Sequence, residues 1–171
     1  MEAHLYFTHS PEPEERIVYP EVPPKSFDSP DVPDTYLQEF NEAAAVLRVS
    51  AKASAALSRR ILQRLLKEHL NLSNNSLAAQ IRDFIKLPGV PSYLVEAVDA
   101  IRNIGNIAAY PQKDKNTGAI VDVEPGEAEW ILEVIEQLFD FIFIQPKKLE
   151  ENKHRLNKKL KEIGKPPMDE K

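Results

Sequence analysis

The fold class this sequence predicts is all-α, an up-and-down bundle of four to five main helices, and three observations predict it. Apolar residues recur at spacings of three and four in successive stretches, the period of one helix face. Residues that open and close helices stand between those stretches: Ser50, Ser76 and Pro125 at starts, Pro88-Gly89 and Pro111 at ends. Within the helical region one stretch, 119–123, Ala-Ile-Val-Asp-Val, has β character, and with the turn signal Asn116-Thr-Gly118 it admits one small hairpin near 112–123.

The chain opens on an extended acidic arm, residues 1–33, which hold seven of the 14 prolines. Proline removes amide donors and blocks helix. The apolar residues Ile17, Val18, Tyr19 and Phe27 predict that part of the arm, a short strand over 17–22, lies against the folded body. Asp34 reads as the N-cap of a helix over 35–48, with Tyr36, Phe40, Ala43, Ala44 and Leu47 on one side. Ser50 caps a long helix over 51–70 whose spine is Ala53, Leu57, Ile61, Leu65 and Leu66, with Arg59, Arg60, Arg64 and Lys67 on its basic side. After the turn 71–76 a third helix runs to Leu87, with Leu77, Ile81, Phe84 and Ile85 apolar. The fourth spans 91–109. The fifth, 127–144, carries Trp130, Ile131, Val134, Ile135, Leu138 and Ile142, while Phe139, Phe141 and Phe143 spread apolarity around its end. A helix apolar on most sides is central to the core or shared with a partner. Pro146 is expected to interrupt it. A basic, weakly amphipathic helix over 147–163, with Leu149, Leu156 and Leu160, completes the reading. The organisation predicted is therefore an arm over 1–33, a helical domain over 34–144 and a basic C-terminal helix and tail over 145–171.

Charge is unevenly spread. The net charge is −5, yet residues 1–34 carry eight acidic and two basic side chains while residues 145–171 carry nine basic and five acidic. The overall balance gives tight nucleic-acid binding no support. The absence of cysteine excludes disulfides and thiolate metal sites. No apolar run approaches the ~20 residues that span a bilayer, and the opening 15 residues lack the pattern of a signal peptide, so a cytoplasmic protein with no membrane partner is expected. No Gly-rich phosphate loop, paired-histidine spacing or nucleophile–base motif is present, and no cofactor or metal is predicted. Asp114, Asp122 and Glu124 share one loop as the sole carboxylate cluster of note.

The fourth helix separates its faces sharply. At about 100° per residue, Leu94, Ala97, Val98, Ile101, Ile104, Gly105 and Ala108 gather on one side, and Asp99, Arg102, Asn103, Asn106 and Tyr110 on the other. The polar stripe holds an arginine, two amides and a phenol but no lysine or glutamate, a composition that suits an interface or a polar ligand. Gly105 costs helix stability and points to close helix approach.

The run Ile101-Arg-Asn-Ile-Gly-Asn-Ile-Ala-Ala-Tyr-Pro111, followed by Glu124-Pro-Gly-Glu-Ala-Glu-Trp130, resembles a bacterial domain-of-unknown-function family assigned to the HEPN superfamily. Glu42-Ala43 and Ala55-Ala-Leu-Ser-Arg-Arg60 resemble it too, and the likeness covers roughly residues 33 to 144. The resemblance implies a helical bundle, commonly dimeric, in a family with members fused to restriction-enzyme subunits. Many HEPN proteins are metal-independent ribonucleases whose motif is an arginine followed after four to six residues by a histidine. Arg102 matches that arginine and Asn103 the polar residue after it. The histidine is missing: Tyr110 follows Arg102 after seven residues, and positions 107–109 are Ile, Ala and Ala.

Metal-free RNA cleavage needs a base to take the 2′-hydroxyl proton and a cation to meet the charge that develops on phosphorus. Arg102 supplies a cation. Tyr110, with an ordinary pKa near 10, is a poor base, and general acid–base catalysis is worth about 10²–10⁴-fold. Two readings result. One is a non-catalytic or weakly active HEPN-like dimerisation module, a homodimer in a bacterial defence or nucleic-acid-associated system, with a defence-system protein as partner. The other is a ribonuclease or RNA-binding effector with Arg102, Asn103 and Tyr110 in an interfacial cleft. Asn106, Asp99, Arg59, Arg60 and Arg64 are the further binding candidates. A structural ion pair between Arg102 and Asp99, three residues earlier, is the competing role for the arginine.

Overall fold

A computed structural model describes residues 25–109, 112–117 and 120–168. In chain order the elements are α1 (Asp34–Val46), α2 (Ala51–Glu68), α3 (Leu77–Phe84), α4 (Ser92–Ala109), β1 (Gln112–Lys113), β2 (Ile120–Val121), α5 (Pro125–Phe139), a π-helical segment (Asp140–Ile144) and α6 (Gln145–Glu162). The protein is an all-α bundle. The two short strands pair antiparallel, Gln112 with Val121 and Lys113 with Ile120, so the hairpin lies where the turn signal places it.

Local chemistry sets most boundaries. The Ser50 hydroxyl accepts the Ala53 N–H at 3.1 Å and the Ser76 hydroxyl accepts the Ala79 N–H at 3.3 Å, each satisfying an amide that the first helical turn leaves orphaned. Pro125 occupies the first turn of α5, and the Glu127 carboxylate reaches back to accept the Glu124 N–H at 2.9 Å. Asp34 differs from its expected role. Pro33 is the capping residue and no side chain caps α1; Asp34 lies inside the first turn, where its charge meets the positive helix end.

The core is one cluster around α5, which packs against α1, α2 and α4. Tyr36, Phe40 and Ala43 of α1, Ile61, Leu62, Leu65 and Leu66 of α2, and Leu94, Val98 and Ile101 of α4 are buried together in it. On α2 the buried line runs Ser54, Ala55, Ser58, Ile61, Leu62, Leu65 and Leu66, so Ser54, Ala55, Ser58 and Leu62 take places that the apolar spacing assigns to Ala53 and Leu57. Ala53 is exposed. Small serines let a neighbouring helix approach, which a hydrophobicity pattern does not register. Trp130 is also off the stripe: it is 41 % exposed, and Ala128, Ile131 and Leu132 fill the core instead.

The end of the arm lies against the body. Asn41 receives the Phe27 N–H at 3.1 Å and donates to the Phe27 carbonyl at 3.3 Å, while the Phe27 ring sits 5.9 Å from Phe40 and 5.5 Å from Phe139. Lys25 pairs with Glu136 at 3.0 Å. The strand expected over 17–22 lies outside the described residues.

Pro146 does not interrupt the helix. The chain stays helical from Pro125 to Glu162, and the turn before the proline widens into π geometry, with the Gln145 N–H bonded to the Asp140 carbonyl. Proline lacks an N–H and its ring crowds the carbonyl four residues back. The wider turn accommodates both problems without ending the rod. Among the described residues no helix is long and apolar enough to cross a membrane.

Candidate functional site

The face of α4 that turns away from the core is the site the sequence singles out. Leu94, Val98, Ile101 and Ile104 are buried at spacings of three and four, which forces Asp99, Arg102 and Asn103 outward on the same helix. Arg102 Nη2 stands 3.2 Å from Asp99 Oδ1, with the two side chains 33 % and 44 % exposed. Asn103 is exposed beside them. The backbone of Asn106 continues the helix, while its side chain, and Tyr110 altogether, lie outside the described residues.

Two-thirds of the arginine is therefore covered, and its charge is matched by a carboxylate one turn away. Such a near-surface pair contributes at most about 1 kcal/mol to stability. Its chemical consequence is larger: Asp99 competes for the guanidinium that an incoming phosphate would use. Of the two described histidines, His69 ends α2 in ring contact with Tyr36 and Phe143, and His154 stands on α6. The remaining guanidinium donors suit recognition of polar or anionic groups.

Two arginines of α2, Arg60 and Arg64, lie within ion-pair distance of carboxylates. Arg64 Nη1 lies 2.6 Å from Glu39 Oε1 and its Nε 3.1 Å from Glu68 Oε1, which draws α1 and α2 together. Arg60 approaches the same Glu39 oxygen at 3.7 Å from a mostly exposed position. Arg59 lies half-buried on the same helix. The Arg64 guanidinium also sits over the Tyr36 ring, 4.7 Å from its centre.

This cluster is the polar centre that sequence reasoning missed. The Tyr36 hydroxyl donates to Glu68 Oε2 at 2.8 Å, and the His69 ring meets Phe143 edge-on at 4.7 Å and Tyr36 at 5.4 Å. Burial of the phenol, with the bond to Glu68 second, raises its pKa well above the ordinary tyrosine value. The bond from Arg64, then that from Tyr36, holds the Glu68 carboxyl below the usual carboxylate range. The bond to Glu68 also raises Arg64, which stays charged throughout. The Arg64–Glu68 spacing of four was a legible signal; the pairing of each with α1 was not.

In the hairpin, Asp114 serves its own turn. Its Oδ1 accepts the Thr117 N–H at 2.7 Å, the Asn116 N–H at 2.9 Å and the Thr117 hydroxyl at 3.0 Å, which lowers its pKa, the Thr117 amide first. Asp122 faces Lys52 at 3.7 Å. Among the described residues no group of three or more histidines and carboxylates is placed to hold a metal ion.

No curated protein and no solved structure matches the chain. A family model does, over residues 41–162, from the second half of α1 to the last residue of α6. The chain belongs to the family of the domain of unknown function DUF4145.

Proposed function

We propose that this protein is a HEPN-like self-association module in a bacterial defence or nucleic-acid-associated system, pairing through the polar face of α4, with no ribonuclease activity of its own. The observation that carries the reading is the Asp99–Arg102 pair at 3.2 Å. A neutralised arginine beside an exposed amide makes a self-complementary polar surface, since each copy offers both donors and acceptors. It makes a weak cleavage site, because the cation is already engaged and the motif histidine is replaced. Phe139 is wholly buried, and Phe141 and Phe143 are partly buried against the core, which leaves the α4 face the more open of the two surfaces the sequence offers for pairing.

The expected result in light scattering coupled to size exclusion is a dimer that Arg102→Glu weakens at least tenfold by opposing Asp99 on both copies. A 19.4 kDa species for the unaltered chain refutes the reading.

A second reading, an RNA-binding or RNA-cleaving effector, draws support from the third of Arg102 that remains exposed. Incubation with single-stranded RNA separates the two. Cleavage above background that Arg102→Ala abolishes establishes the effector. Unchanged RNA with both proteins leaves the module.

A further inference from the structure

Helix α6 gathers cations on one side and leaves them unpaired. His154, Lys158 and Lys161 stand at spacings of four and three, which is one face of a helix. Lys165 follows four residues on, and Lys158, Lys161 and Lys165 are all exposed. Among the described residues none of these three lysines has a carboxylate within ion-pair distance, whereas Lys147 of the same helix meets Asp31. Of the acids on α6, Glu150 and Glu151 precede the group, and Glu162 lies about 100° from Lys161 round the axis. Like charges three and four residues apart repel one another, so this arrangement gains from an anion.

The tail turns the stripe into a groove. Gly164, at φ 69°, adopts the left-handed conformation that reverses the backbone. The Lys165 N–H bonds the Leu160 carbonyl at 2.9 Å and the Met168 N–H bonds Asn157 Oδ1 at 2.8 Å, which lays 165–168 back along the helix. Pro166 and Pro167 fix their own φ and stiffen the return. His154, Asn157, Lys158, Lys161, Lys165 and Pro167 line a cavity of about 570 Å³. The Asn157 carbonyl is taken by Met168, so the amide offers a ligand its N–H donors. Among the described residues the lining thus presents three ammoniums and an amide donor, and no carboxylate.

We propose that this groove binds the phosphate backbone of a single-stranded nucleic acid without reading its bases. His154 to Lys161 rise about 10 Å along the axis, so the ligand carries several anionic groups in a row rather than one. Over that length the cavity is about 7–8 Å across, which admits one strand and excludes a duplex, whose major groove alone is ~12 Å wide. Lysine meets phosphate as a point charge, whereas bidentate capture of carboxylates belongs to arginine, and no arginine lines the groove. No phenylalanine, tyrosine or tryptophan lines it to stack a base. The net charge of −5 opposes a polyanion at long range, so the binding is local and sensitive to salt. It is separate from the pairing proposed on α4.

The probe is a fluorescein-labelled oligo-dT of about 20 nucleotides, titrated with the full chain by fluorescence anisotropy between about 50 and 200 mM salt. Saturable binding is expected, with a log–log slope against salt near −2, about −0.7 for each of three lysine–phosphate contacts. Lys158→Gln, Lys161→Gln and Lys165→Gln together are expected to weaken it about tenfold or more and to flatten the slope. Lys148→Gln, Arg155→Gln and Lys159→Gln remove the same charge from the far side of the helix, about a Debye length away, and are expected to change it less than about threefold. Helix α6 buries no residue, so both triple variants keep the bundle, which far-UV circular dichroism checks. The same pattern on an Arg102→Glu background separates the groove from the α4 face. Absence of binding overturns the proposal, as does equal loss in the two triple variants, which means a response to net charge alone. Calorimetric binding of tripolyphosphate with none of the strand assigns the groove to a free phosphate chain and overturns it. Strand binding that appears only after removal of residues 169–171 assigns the groove to the chain's own Asp169 and Glu170 and overturns it as well.

Discussion

Tyr36 is buried along its ring and bonded at its tip, and the two facts together hold the α1–α2 corner. Tyr36→Phe keeps the packing against Phe139 and Phe143 and removes only the bond to Glu68. Glu68 retains Arg64 and water, so nothing buried is left unpaired, and a loss of about 1 kcal/mol in urea unfolding at pH 7 is expected. The pH profile has two limbs. The Glu68 carboxyl sits below its unfolded value, so its contribution is complete above about pH 4.3 and declines as the pH falls through the folded value. The Tyr36 phenol sits above its unfolded value, so its contribution is complete below about pH 10 and declines as the pH rises past it. Unfolding free energy measured against pH is expected to lose the alkaline limb in Tyr36→Phe and to flatten at the acid end in Glu68→Gln. At this scale the sequence revealed the Asp99–Arg102 spacing, because both residues lie on one helix; the Arg64–Glu68 spacing is equally local but was not read as a pair. Glu39 and Tyr36 were invisible as partners, because nothing local brings α1 beside α2.

Among the elements, the helix starts were legible wherever a side chain makes the cap. Ser50→Ala, which removes the acceptor of the Ala53 amide, is expected to cost about 1 kcal/mol in thermal or urea unfolding; an unchanged midpoint would show that the bond contributes nothing. Asp34 was misplaced by one position because an extended proline can itself occupy the cap, and Pro33 does. Pro146 was read as a stop because the rule for proline is local. In the structure the π turn over Asp140–Ile144 absorbs the defect and one rod emerges from the bundle. The composition of α6, basic with three leucines, was plain from the sequence; that it stands clear of the core was not.

For the whole molecule, the division of labour between bundle and rod makes a further prediction. Ending the chain after Lys148 removes a helix that buries nothing, leaves the Lys147–Asp31 contact at the surface, and is expected to change the stability of the monomeric bundle by less than about 1 kcal/mol. A larger loss by denaturant titration would mean that α6 supports the core. The all-α class, the hairpin position and the apolar face of α4 were determined by the sequence alone, because each follows from contacts within a few residues: a 3.6-residue period, a capping hydroxyl, a turn aspartate. The tertiary structure decided the rest. It set the rotation of α2 that buries Ser54 and Ser58, the exposure of Trp130, and the gathering of Tyr36, Glu39, Arg64 and Glu68. These depend on which helices meet and at what depth, and that is a balance of packing over the whole core which no window of sequence contains.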